Sequence, residues 1–167
     1  MVYQRIDQLA KHIERTVTGP LWHGPVLDDV VAGVDAEQAA AHPIAGAHSI
    51  WEIVLHIGAW AEIARARLDG RATADPPPEL DWPPVRDADA QEWDAALHRM
   101  RESHRDLATR VRQLDEGTLD DRVPGLEYPI WVLLHGIVEH GTYHGGQIML
   151  LKRALARSNA AIAKTAT

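Results

Sequence analysis

Ten histidines and no cysteine set the chemistry open to this 167-residue chain. Disulfides, thiolate-bound zinc, iron–sulfur clusters and a cysteine nucleophile are all excluded, so any metal must sit on nitrogen and oxygen. Three histidines fall where a helical pattern expects aliphatic side chains. Ile130, Leu133, Ile137, His140, His144, Ile148, Leu151 and Leu155 recur at spacings of three and four, which puts His140 and His144 one turn apart on a single inward face. Upstream, Ile53, His56, Trp60 and Ile63 form a similar stripe and turn a third imidazole inward. Helical bundles build metal sites from side chains projected into the core by facing helices. An unpaired imidazole in an apolar core forfeits hydrogen bonds at roughly 1–3 kcal/mol, and a bound cation removes that cost. Three neutral nitrogens also leave a coordination position open, whereas a closed structural zinc site has four protein ligands. The competing reading is a set of ordinary hydrogen-bonded core histidines, since His-x-x-x-His also arises by chance in a histidine-rich chain. Gly141 follows His140, so the His-Glu-x-x-His signature of glutamate-assisted zinc peptidases is missing.

His104 lies on the apolar seam of another predicted helix and is a second-tier catalytic candidate, as fourth ligand or as proton donor and acceptor; a hydrogen-bonded core histidine is the alternative. His135 sits about 140° around the helix from His140 and reads as a packing or outer-shell residue. Glu139 and Gln147 are candidates for orienting ligand imidazoles, although a solvated face is the commoner place for a glutamate. His12, His23, His42, His48 and His98 form no constellation.

The elements that must position these residues follow from periodicity and from breakers. Ile6, Leu9, Ile13 and Val17 predict an amphipathic helix over about 2–18, ended by Gly19-Pro20. A short helix is expected within 21–34, then a connector with a possible helical turn over 36–47. Ser49 with Glu52 three residues on is a capping box that opens a helix running to about Asp69, before Gly70. Residues 74–87 hold five prolines and read as a surface loop rather than a helix. From Asp89, residues Trp93, Leu97, Met100, His104, Leu107, Val111 and Leu114 alternate at four and three, the seam of a bundle helix. A loop over 117–128 leads to Pro129, suited to a helix's first turn, and a last helix to about Arg157. No strand pattern or internal repeat is present. The expectation is an all-α four-helix bundle, one domain over 1–157, with a frayed tail over 158–167.

With 46% apolar residues the chain can bury an ordinary core. A net charge of −7, with Arg interspersed among Asp and Glu, argues against a nucleic-acid-binding surface, and no nucleic-acid partner is expected. No stretch approaches the ~20 apolar residues of a membrane span, and the N-terminus lacks an apolar signal core; a cytoplasmic protein is expected.

Trp22-His23-Gly24-Pro25, the run Gly46 to Glu52 with His56 downstream, and the run Leu134 to Ile148 resemble the DinB/YfiT-like superfamily of metal-dependent proteins. The resemblance spans almost the whole chain. Its most specific part pairs a histidine in the second long helix with His140-x-x-x-His144 followed by Gly146-Gln147 in the fourth. It implies up-down-down-up connectivity, a metal triad of His56, His140 and His144, a zinc or nickel ion, and a homodimer. Members of that superfamily include transferases for low-molecular-weight thiols and a mycothiol-dependent isomerase, which implies an enzyme acting on a small thiol and an electrophile. Metal-dependent hydrolysis and a noncatalytic metal-binding or stress-related module remain the alternatives, because a fold does not fix a reaction.

Overall fold

The computed structural model describes residues 5–165, with side chains through residue 157. Among the described residues there are seven α-helices and one 3-10 turn, joined by loops, and no strand element. Four helices are long: α1 (Arg5–Thr18), α4 (Ile50–Leu68), α6 (Ala90–Val111) and α7 (Ile130–Thr165). Three are short: α2 (Leu27–Val31), α3 (Ala36–Ala40) and α5 (Pro78–Asp81). The expected start of α1 at Val2 lies outside the described residues. α7 continues past Arg157, where the sequence pattern ended it, to Thr165; the last two residues of the expected tail lie outside the described residues.

Two apolar clusters define the ends of the bundle. One joins the first half of α1 (Ile6, Leu9, Ile13) to the late residues of α4 and α6 (Ala64, Leu68, Leu107, Val111) and the early residues of α7 (Ile130, Leu133, Leu134). The other joins Val17 to the early residues of α4 and α6 (Ile50, Trp51, Ile53, Trp93, Met100) and to Ile148 and Leu151 of α7. α1 and α7 therefore run one way while α4 and α6 run the other, the up-down-down-up arrangement. Ion pairs agree, with Arg110 on Asp69 at 2.7 Å joining the C-terminal ends of α6 and α4. Each fully buried Leu or Ile stabilises this core by roughly 1.5–3 kcal/mol.

Local signals set the boundaries. Ser49 and Glu52 exchange the two bonds of the capping box, Glu52 N donating to Ser49 Oγ at 3.1 Å and Ser49 N donating to Glu52 Oε2 at 2.7 Å. The helix expected within 21–34 shrinks to α2, because Pro25 stands before it and Gly33, at φ 72°, turns the chain after it. On α6 the seam residues are buried apart from Leu97, which is half-buried.

The proline segment departs from expectation. Instead of a plain loop it contains α5, with Pro77 as N-cap and Pro78 in the first turn. Proline at these positions gives up no helical hydrogen bond, because the first-turn N–H groups have no intrahelical acceptor. The backbone N–H groups of Asp81 and Trp82 then donate to Pro77 and Pro78 carbonyls at 3.0 and 2.8 Å. The prolines thus stiffen a strap that ends on Asp81 and Trp82.

Candidate metal centre

The bundle brings His56 of α4 against His140 and His144 of α7, with one ligand atom from each lying within 4.8 Å of the others. His56 and His144 are each 5% exposed, and His140 is half-buried. Close approach of the helices depends on missing side chains. A Cβ on Gly141 would lie 2.6 Å from Thr16 Cγ2 of α1, so the glycine between the two α7 histidines lets that helix seat closely enough to direct both inward.

Two of the three imidazoles are fixed through Nδ1. His56 Nδ1 donates to the Asp81 carbonyl at 2.6 Å, and the Asp81 carboxylate lies 3.4 Å away while accepting from Trp60 Nε1 at 2.7 Å. His144 Nδ1 donates to Gln147 Oε1 at 2.6 Å, and Gln147 Nε2 donates to the Tyr143 hydroxyl at 2.9 Å. Each bond assigns the proton to Nδ1 and leaves the Nε2 lone pair free, the arrangement in which outer-shell partners orient metal-binding histidines. His140 Nε2 lies 2.9 Å from His56 Nε2. The Nε2 atoms of these two rings therefore face one another.

Burial is the first cause of a lowered pKa at all three. It takes His140 down to about 3, with His144, His56 and His104 adding repulsion. At His56 the bond to the Asp81 carbonyl works against the burial, and at His144 the bond to Gln147 does. Three neutral imidazoles at pH 7 form a donor set that suits a divalent ion without competition from protons. The residues present can hold a metal ion.

Trp82 closes one wall. Its ring stacks on His56 at 3.7 Å and on His48 at 3.6 Å, nearly parallel to both. A cavity of about 830 Å³ opens on the histidines and continues past Trp60 towards Tyr128 and Arg67.

A profile of the DinB superfamily matches residues 21–148. The chain belongs to the DinB superfamily. No curated protein and no solved structure matches it. The match covers α2 through the first half of α7, so all three histidines and the proline strap lie inside it.

Against the expectations for this DinB-superfamily chain, the structure gathers His56, His140 and His144, and Gln147 takes up the orienting role on His144. Glu139 is exposed and does not. His135 is exposed rather than packed or in an outer shell, edge-on to Trp131 at 6.0 Å. His104 is 1% exposed but stands outside the three-histidine group and does not line the cavity. Its Nδ1 donates to the Met100 carbonyl at 2.8 Å, and its buried Nε2 has no partner. His48, which belongs to no constellation in the sequence pattern, lines the cavity through its stack on Trp82. Asp81 and Trp82 were missed entirely. The available signal was an acid and a tryptophan within a proline-stiffened stretch, a support for the site where the pattern predicts only a surface loop.

Proposed function

We propose that this chain is a divalent-metal-dependent enzyme, with zinc or nickel on His56, His140 and His144, that activates a low-molecular-weight thiol for transfer to an electrophilic small molecule. The observation that carries this reading is a three-histidine donor set opening directly onto a cavity of about 830 Å³ in a chain with no cysteine of its own. Such an ion supplies thiolate at neutral pH by lowering the pKa of a thiol that reaches it. The thiolate's electron pair forms a carbon–sulfur bond as the π bond of an unsaturated electrophile opens and its carbanion takes up the proton, or as a leaving group departs from carbon with its bonding pair and the thiol proton passes to solvent.

The chain's own residues orient and enclose. Asp81 and Gln147 hold the His56 and His144 rings by their Nδ1 atoms, and Trp82 stacked on His56 keeps water from one side of the ring. Hydrolysis is less well supported, because the two acidic residues of the cavity wall are badly placed as bases. Asp81 is bonded to Trp60, and Asp75 is 98% exposed. A closed metal store is also less well supported, since His104 does not join the three.

The test is metal content by elemental mass spectrometry of untagged protein, wild type against His56→Ala, His140→Ala, His144→Ala and His104→Ala, followed by thiol consumption with a panel of electrophiles. Near-stoichiometric zinc or nickel, lost in the first three variants and kept in the fourth, supports the centre. Metal-loaded protein that consumes no thiol with any electrophile overturns the assigned reaction. A homodimer belongs to the same proposal, and light scattering of the purified chain tests it.

A further inference from the structure

The far end of the cavity holds a charge that its surroundings do not neutralise. Arg67, near the C-terminus of α4, has a side chain only 3% exposed. Its Nη1 donates to the Tyr128 hydroxyl at 2.7 Å, its guanidinium carbon lies 5.2 Å from the Trp60 ring centre, and its Nε is buried without a partner. Among the described residues, the only carboxylate in ion-pair range is Asp75, at 3.8 Å and 98% exposed, beyond hydrogen-bond distance and free to swing into solvent. Buried arginines are ordinarily matched by a close, often bidentate, carboxylate, because an unmatched buried charge is costly. Here the stacking on Trp60 and one neutral hydroxyl compensate only part of that cost.

The position of this guanidinium bears on what could pair with it. Trp60 lies 5.8 Å from His140, ring centre to ring centre, so two steps of 5.2 and 5.8 Å put Arg67 no farther than about 11 Å from the candidate metal ligand. Between the two ends the lining is apolar, with Val132, Leu133 and Ile137. A small molecule that fits has a metal-seeking or reactive atom at one end, a short apolar body, and an anion at the other. We infer that Arg67 and Tyr128 form a carboxylate-binding subsite, and that the molecule acted upon in this cavity carries a carboxylate at the end remote from the metal centre. The fork of the guanidinium fits a planar carboxylate through two parallel N–H bonds, and Tyr128, whose oxygen accepts from Arg67, retains its own proton to donate.

That this molecule is acted upon rests on the proposed function; the binding of a carboxylate does not, and the two are tested apart. Metal-free full-length chain is titrated with straight-chain alkanoates from butanoate to octanoate and with 1-alkanols of the same lengths, read by tryptophan fluorescence and calorimetry. The expected result is alkanoate binding at least tenfold tighter than alkanol binding, with a best chain length. That preference falls to twofold or less in Arg67→Gln, drops severalfold in Tyr128→Phe, and rises in Asp75→Asn, which removes the competing carboxylate. Equal binding of alkanoate and alkanol by the wild type overturns the subsite, and needs no variant to do so. An unchanged preference in Arg67→Gln that keeps the wild-type circular dichroism overturns it as well. Metal-loaded chain titrated with ω-mercaptoalkanoates then separates the two sources: added affinity from the thiol places the carboxylate on the thiol cosubstrate, and none places it on the electrophile. Should the metal centre fail its own test, the alkanoate titration still stands or falls by itself.

Discussion

The two histidines of α7 and the one of α4 reach the same point by different means. His144 is held from within its own helix, by Gln147 one turn on. His56 is held from outside, by a carbonyl 25 residues away and by Trp82 stacked on its face. The α7 half of the site takes its support from its own helix. The α4 half takes it from the proline strap. A rigid helix face therefore supplies two donors, and a separate support on the other wall sets the third.

Acidification is the most severe way to probe this difference. In the metal-free chain the pKa values of His56, His104, His140 and His144 lie below the ordinary 6.5, with burial the leading cause. Below pH 6.5 the unfolded chain takes up protons that the folded chain refuses. The stability from these groups is complete above about 6.5 and falls as the pH drops towards the folded values, at up to ~1.4 kcal/mol per pH unit for each histidine still neutral in the fold. His140, at about 3, keeps contributing to the slope down to low pH. Urea midpoints of the metal-free chain should fall steadily from pH 7 to pH 5, and bound metal should raise the midpoints while leaving the fall at least as steep, because imidazoles held by an ion take up no protons. In NMR titrations His140, which has no bond opposing its burial, should protonate after His56 and His144, whose Nδ1 bonds favour the charged ring. A pH-independent midpoint, or His140 titrating first, contradicts the electrostatic picture.

Gly141→Ala probes the α7 side alone. The added methyl meets Thr16 at 2.6 Å, and overpacking of this kind costs about 1–3 kcal/mol. The expected outcome is a lower melting temperature, recovered in part by Gly141→Ala with Thr16→Ser, which removes the opposing methyl group. Failure of the second change to help would show that α7 is not seated on Thr16.

On the α4 side, Asp81→Ala with Trp82→Ala removes the Trp60 acceptor and the stacked ring while leaving all three ligands. Loss of outer-shell partners weakens metal binding by roughly 10–100-fold. Competition with a chromophoric chelator measures it, and a change below twofold would mean that His56 needs no strap.

The sequence disclosed these two sides unequally, and the reason is physical. His140 and His144 were legible because helical periodicity projects residues of one helix onto one face, and their inward direction needs no partner. Gln147 was legible as a neighbour at i+3. His56 was visible as a position, yet its holder was not, since a hydrogen bond to a backbone carbonyl leaves no trace in residue type. The prolines identified a stiff segment but not its destination, and they hid α5 because proline normally ends helices. His104 matched its predicted seam and still misled, because a place on the inner face says that a side chain is buried and nothing about which cavity it borders. Arg67 was masked by its setting, a cation in the last turn of a helix, where positive charge is ordinarily explained by the helix dipole.

The smallest expected effect is on the self-contained side. Gln147→Leu removes the acceptor from His144 Nδ1 and the donor to Tyr143. Tyr143 is 64% exposed and Gln147 is half-buried, so water can replace the lost oxygen, and α7 still aims the ring. One net hydrogen bond of roughly 0.5–1.5 kcal/mol is at stake, which corresponds to about a two- to tenfold loss of metal affinity. The same chelator competition should rank this change below the loss of Asp81 and Trp82. If Gln147→Leu instead proves the more damaging, the ring of His144 is not set by its helix, and α7 depends on its outer support as much as α4 does.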